Sequence, residues 1–137
     1  KDAATPPISG EEVALIDAIL NVRGSSSDAL EHLRGISRDL PSIAPAVSRL
    51  EGRLGALDAQ GINVSSLEFE TQYGRTQMEY YDGFVFGFYA EGRDDLPPVA
   101  SGGRYDALTR HLGGGVEIPA VGGVIRPELA LGLGGAA

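Results

Sequence analysis

The 137-residue chain has no cysteine, no tryptophan, one methionine and two histidines. Without cysteine there is no disulfide, zinc–thiolate site, iron–sulfur cluster or thiol nucleophile. His32 and His111 are too few and too far apart in sequence for a histidine-based metal centre, so neither a metal nor a cofactor is expected. Positive charge is also scarce: eleven Lys and Arg against nineteen Asp and Glu leave a net charge of −8. That balance argues against nucleic acid as a partner, because phosphate recognition needs a basic patch. No apolar run reaches the ~20 residues of a membrane helix. No basic segment followed by an apolar one opens the chain. A cytoplasmic protein with no membrane partner is expected. Lys1 in place of Met, and the ending Gly132-Leu133-Gly134-Gly135-Ala136-Ala137, are expected of a piece cut from a longer polypeptide.

Hydrophobic residues make up 42% of the chain and charged residues 22%, enough for a packed core. The first 60 residues read as helical. Ser9-Gly10-Glu11-Glu12 fits a capping box. Val13, Ile16, Ile19 and Leu20 then share a helical face, and Gly24 can end the helix. Leu30, Leu33, Ile36 and Leu40 mark a second helix, closed by Pro41; Ile43, Val47, Leu50, Leu54 and Leu57 mark a third, stopped by Gly61. From Ile62 the period drops to two. Leu67, Phe69 and Thr71 alternate with Glu68, Glu70 and Gln72 in one strand. Phe84, Phe86 and Phe88 alternate with Val85, Gly87 and Tyr89 in the next, giving it one aromatic face. A hairpin is expected between these strands. Ser101-Gly102-Gly103 reads as a turn opening a short helix through Leu108 and Leu112. Pro119 to Ile125 reads as a buried central strand, and Pro127 as the first turn of a last helix. The order predicts an α+β fold, an antiparallel sheet flanked by helices.

The candidate site residues carry two readings each. Gly102-Gly103, Gly113 to Gly115 and Gly122-Gly123 can bring backbone amides to an anion or a small ligand, or simply make turns and a helix cap. Glycine within a strand marks close approach of a backbone or a ligand, which singles out Gly122 and Gly123. Tyr80 and Tyr81, after Glu79, can grip a flat polar ligand, or pack one ring inward and one outward. Arg104 is either a carboxylate clamp or a surface arginine held by Asp106. Glu68 and Glu70 share a strand face that suits an ammonium group or water. No nucleophile and no acid–base pair emerges, so no catalytic residue is assigned.

Tyr80-Tyr81-Asp82-Gly83-Phe84-Val85-Phe86 resembles the YYTGxVFE segment of the histidyl-tRNA synthetase family. Ser101-Gly102-Gly103-Arg104-Tyr105-Asp106-Ala107-Leu108 resembles that family's GGRYDGL signature, and Pro119-Ala120-Val121-Gly122 resembles the start of PAVGFAIGLERL. The resemblance covers roughly residues 45 to 131 and implies a class II aminoacyl-tRNA synthetase-like antiparallel sheet. Residues 1–60 then correspond to a helical insertion-like segment, and 61–137 to the C-terminal half of the catalytic-like core. By resemblance Tyr80, Tyr81, Gly102, Gly103, Arg104, Tyr105, Gly122 and Gly123 form a histidine-binding pocket, with Glu79 and Arg75 as possible ligand contacts.

The departures carry as much information. The family's arginine in RGLDYY falls on Thr76, with Arg75 one place away; a one-residue slip on a strand reverses the face. The arginine of GLERL falls on Leu129, with Arg126 three places early. Loss of both removes the charge-assisted contacts that adenylyl transfer needs. The wording of Gly74 to Gly87 resembles instead the ATP phosphoribosyltransferase regulatory subunit, a non-catalytic relative in the first step of histidine biosynthesis. That implies a short-form ATP phosphoribosyltransferase catalytic subunit as partner and L-histidine as effector. The absent core strands imply exposed sheet edges and self-association as a dimer. A fragment of a true histidyl-tRNA synthetase and a stand-alone histidine-binding module are the alternatives.

Overall fold

Helix α1 (Gly10–Leu20) begins where its capping residues demand. The Ser9 hydroxyl accepts the Glu12 amide at 3.2 Å, and the Glu12 carboxylate accepts the Ser9 N–H at 2.8 Å. The Ser9 N–H, then the Ser9 hydroxyl donating to the same carboxylate at 2.8 Å, hold the Glu12 carboxyl below its ordinary value. Helix α2 (Ser26–Asp39) is capped by Ser25, whose hydroxyl accepts the Asp28 amide at 3.1 Å. Helix α3 (Ala44–Ala59) follows a single 3-10 turn over Pro41–Ile43. The computed structural model describes residues 8–74 and 81–134. It divides into two compact units, Lys1–Gln72 and Tyr73–Ala137.

The core of the first unit is Val22, Ala29, Leu30, Leu33, Ile36, Val47, Leu50 and Leu54. Leu30, Leu33, Ile36, Val47, Leu50 and Leu54 come from the apolar faces expected of the second and third helices; Val22 and Ala29 were not on them. Helix α1 differs from expectation: Leu15, Ala18 and Ile19 pack on the core, whereas Val13 and Ile16 are exposed. Strand β1 (Arg23–Ser25) pairs antiparallel with β2 (Glu68–Glu70), so the expected hairpin between β2 and the phenylalanine strand does not form. Gly24 sits inside β1 at φ 138°, a conformation that L side chains rarely adopt. Thr71 locks the pairing: its hydroxyl donates to the Ile19 carbonyl at 2.7 Å and its amide to the Val22 carbonyl at 3.1 Å. Tertiary bonds across that distance carry the helical unit on to Gln72.

In the second unit β3 (Val85–Phe88), β4 (Ala100–Arg104) and β5 (Val121–Ile125) form an antiparallel sheet in the order β3-β4-β5, with α4 (Asp106–Leu112) and α5 (Pro127–Gly134). Ser101-Gly102-Gly103 is therefore not a turn but the middle of the central strand, and Val121–Ile125 is an edge strand of this sheet. Directly paired residues share a face. One face carries Phe86, Gly102 and Gly123; the other carries Val85, Gly103 and Gly122. On the first, Phe84, Phe86 and Phe88 run in a stripe with ring centroids 5.9 and 5.7 Å apart. Phe88, Ile125 and Val121 on that face are 63%, 68% and 70% exposed. On the second, Tyr73 covers Gly87, its ring meets Tyr89 edge-on at 6.4 Å, and the two hydroxyls lie 3.1 Å apart.

Two carboxylates tie this sheet to α4. Asp82 accepts the amides of Asp106 at 3.0 Å and Ala107 at 2.6 Å. Asp106 accepts the Ala120 amide at 2.8 Å and the Arg104 Nε–H at 2.7 Å. The Ala120 amide, then Arg104, hold the Asp106 carboxyl below its ordinary value.

Three outcomes follow. Leu50→Ala, at 6% exposure, is expected to lower stability by about 3 kcal/mol in urea denaturation. Because the Asp106 carboxyl is depressed, its contribution is complete above the ordinary carboxylate pKa of ~3.9 and is lost as pH falls through the lower folded value. Asp106→Asn is expected to remove that part of the acid dependence, read from denaturation midpoints against pH. Burial, then the bond with Tyr89, pushes the Tyr73 phenol up to about 12. Its stabilising effect is complete below the ordinary phenol pKa of ~10 and disappears as pH rises through about 12. An absorbance titration of tyrosinate should therefore end in a late step that Tyr73→Phe abolishes.

Candidate functional site

Strand β4 presents two adjacent glycines opposite the two glycines of β5: Gly102 pairs with Gly123 and Gly103 with Gly122. The result is a patch of sheet without side chains, and aromatic rings settle on it. A Cβ at Gly103 would lie 2.7 Å from the Tyr81 ring and from the Phe84 carbonyl; one at Gly122 would lie 2.8 Å from the Tyr105 hydroxyl. Tyr81 and Tyr105 thus lie side by side on one face, centroids 6.3 Å apart and tilted by 48°. On the reverse face Phe86 lies over the buried Gly102 and reaches the exposed Gly123: a Cβ on them would stand 2.8 and 3.4 Å from its Cζ. The close approach expected at the strand glycines is real, and the chain's own rings and neighbouring backbone make it. A ligand on the tyrosine face meets phenol rings before it meets backbone.

The structure brings Tyr81, Gly103, Tyr105 and Gly122 together and separates Gly102 and Gly123 from them by the thickness of the sheet. Arg104 pairs across from Val121, on the face of Gly102 and Gly123. Its Nε–H donates to Asp106 at 2.7 Å, the arrangement of an arginine held at the start of a helix. Arg75, Thr76, Glu79 and Tyr80 lie outside the described residues. Glu68 and Glu70 are exposed on β2. Arg126 donates from its guanidinium to the Pro98 carbonyl at 2.6 Å, and Leu129 lies in the first turn of α5. Among the described residues no group of three or more His, Asp and Glu could hold a metal ion, and no helix is long and apolar enough to cross a membrane.

Sequence reasoning did not assign Tyr73, Tyr89 or Asp82 to this site, and gave Asp106 only as the partner of Arg104. Tyr73 and Tyr89 lie beyond the motifs and pair only through the fold, so no local signal reveals them. Asp82 and Asp106 do leave a signal: the dipeptide Tyr-Asp occurs twice, as Tyr81-Asp82 and Tyr105-Asp106. In both, the tyrosine belongs to the ring layer and the aspartate to the network that ties β4 to α4.

The chain is 44% identical over 77 residues to an ATP phosphoribosyltransferase regulatory subunit of Rhizobium etli, covering 56% of this chain and 20% of that protein. It is 36% identical over 81 residues to the one of Mesorhizobium japonicum, covering 59% of this chain and 21% of that protein. The regulatory subunit of Brucella anthropi aligns over 123 residues at 29% identity, covering 89% of this chain and 32% of that protein. The chain thus spans between a fifth and a third of the length of these curated relatives. No solved structure matches. A family model described as histidyl-tRNA synthetase matches residues 2–129, nearly the whole chain: it belongs to the histidyl-tRNA synthetase family.

Proposed function

We propose that this chain is part of a non-catalytic regulatory subunit of ATP phosphoribosyltransferase, and that its tyrosine layer is a pocket for L-histidine. The supporting observation is the pair Tyr81 and Tyr105, rings 6.3 Å apart, seated on Gly103 and Gly122. Two tilted phenol rings on a flat, side-chain-free floor suit a small planar group such as imidazole, offering ring contact and hydroxyl hydrogen bonds together. The partner would be a short-form catalytic subunit that transfers phosphoribose to ATP; the relatives' name, ATP phosphoribosyltransferase regulatory subunit, supports a partner with that activity. The absence of catalysis rests on Thr76 and Leu129 standing where the family motif has arginines. Arg126 is a poor substitute, because its guanidinium is engaged by the Pro98 carbonyl. The exposed edge at β5 and its phenylalanine face favour self-association as a dimer. On this reading the protein would work in the cytoplasm, with ATP and histidine.

The test combines binding and activity in the full-length protein. Calorimetry should show L-histidine binding that Tyr81→Ala weakens by at least about tenfold, the loss of roughly one good contact. Gly122→Ala should weaken it similarly, because a Cβ there would displace the Tyr105 hydroxyl. Mixed with a short-form catalytic subunit, the protein should support phosphoribosyl-ATP formation that histidine suppresses. Histidine-dependent ATP–pyrophosphate exchange by the protein alone would instead identify a synthetase. Histidine binding without any effect on phosphoribosyl transfer would identify a stand-alone binding module.

A further inference from the structure

We infer that Asp82 is the positioning residue of the tyrosine pair, setting the distance between Tyr81 and Tyr105 from behind; as a statement about ligand binding, this rests on reading that pair as a histidine pocket. Asp82 follows Tyr81 directly, and every hydrogen bond described for it reaches the segment that carries Tyr105. Its amide donates to the Arg104 carbonyl at 3.2 Å. Its carboxylate accepts the Asp106 amide at 3.0 Å and the Ala107 amide at 2.6 Å. The residue before Tyr105 and the two after it are thus held by the residue next to Tyr81. Gly83 allows this proximity, since a Cβ there would stand 3.0 Å from the Arg104 Cβ.

The far side of Tyr105 is fixed independently. Its amide donates to the Ala120 carbonyl at 3.0 Å, and the Asp106 carboxylate accepts the Ala120 amide and the Arg104 Nε–H. Tyr105 is therefore anchored to β5, and Tyr81 is registered against it through Asp82. The two amides that Asp82 takes are first-turn donors of α4, which have no partner within their own helix. An ionised carboxylate is the acceptor that suits both, by charge and by its two oxygens. An asparagine would keep one acceptor and turn a donor toward the other amide, opening that joint while leaving the chain's volume unchanged.

The decisive experiment compares Asp82→Asn with Thr109→Ala in the full chain. Thr109 ties α4 to Ile118 through bonds of 2.6 and 3.1 Å and its hydroxyl reaches the Asp106 carbonyl within its own helix at 2.7 Å, but none of its described bonds reaches Tyr81 or Asp82. Both variants should lower the melting temperature. In fluorotyrosine-labelled protein, only Asp82→Asn should shift the fluorine NMR signals of Tyr81 and Tyr105, assigned with Tyr81→Phe and Tyr105→Phe. Only Asp82→Asn should weaken L-histidine binding by about tenfold, the scale of a charge-assisted hydrogen bond. If Asp82→Asn does not fold, Asp82→Glu keeps the charge, moves it by one methylene, and must shift the same two signals. Unmoved signals in the Asp82 variants, or equal shifts in Thr109→Ala, overturn the inference. If the wild-type protein does not bind L-histidine, the pocket reading fails, and the fluorine signals alone decide the positioning.

Discussion

The second unit is built on the absence of side chains at the centre of its sheet. Gly102, Gly103, Gly122 and Gly123 pair across β4 and β5, and Gly87 lies nearby on β3. An aromatic ring comes within contact of each position: Phe86 on one face, where Gly123 stays exposed; Tyr73, Tyr81 and Tyr105 on the other. Ordinarily glycine weakens a strand, through entropy and the lack of anything to pack. Here the missing Cβ atoms are what let broad rings lie against backbone. The rings in turn supply the burial that the glycines forgo.

Electrostatics completes the arrangement. Few cations are available to a chain with eleven basic residues, and backbone amides take much of their place. Asp82 binds two amides at the start of α4, and Asp106 binds the Ala120 amide alongside Arg104. Glu12 and Asp28 likewise sit in the first turns of their helices, Glu12 bonded to the Ser9 amide and Asp28 to the Ser25 hydroxyl. Negative charge at helix starts is favourable without any counter-ion from a side chain. An acidic protein can therefore satisfy its carboxylates locally and keep its arginines for a few specific ties.

The helical unit was legible in the sequence wherever periodicity reports burial directly. Leu30, Leu33 and Ile36 on α2, with Val47, Leu50 and Leu54 on α3, are core residues as their spacing implies. On α1, whose apolar residues are spread around the helix, spacing misidentified the buried face. Strand partners were not legible, because β1 and β2 meet across more than forty residues and neither carries its partner's address. Ser101-Gly102-Gly103 misled for a specific reason: glycine is a turn signal locally, and only the rings arriving from Tyr81 and Phe86 make it a strand. The site was half legible. Motif resemblance named Tyr81, Tyr105 and their glycines, but strand alternation set Arg104, Gly102 and Gly123 on the other face, a distinction no list of motif residues contains.

The glycine ladder also sets the alignment of the strands. A glycine-rich strand usually tolerates sliding, since no side chain distinguishes one register from the next. In this sheet the bare positions act as sockets of fixed spacing. A one-residue slip of β5 against β4 would place Gly123 opposite Gly103 and Val124 opposite Gly102, and the opposite slip would place Val121 opposite Gly103, each setting a side chain where a ring needs an empty socket. The same rings that shape the candidate pocket therefore serve as the pins that stop the edge strand from sliding.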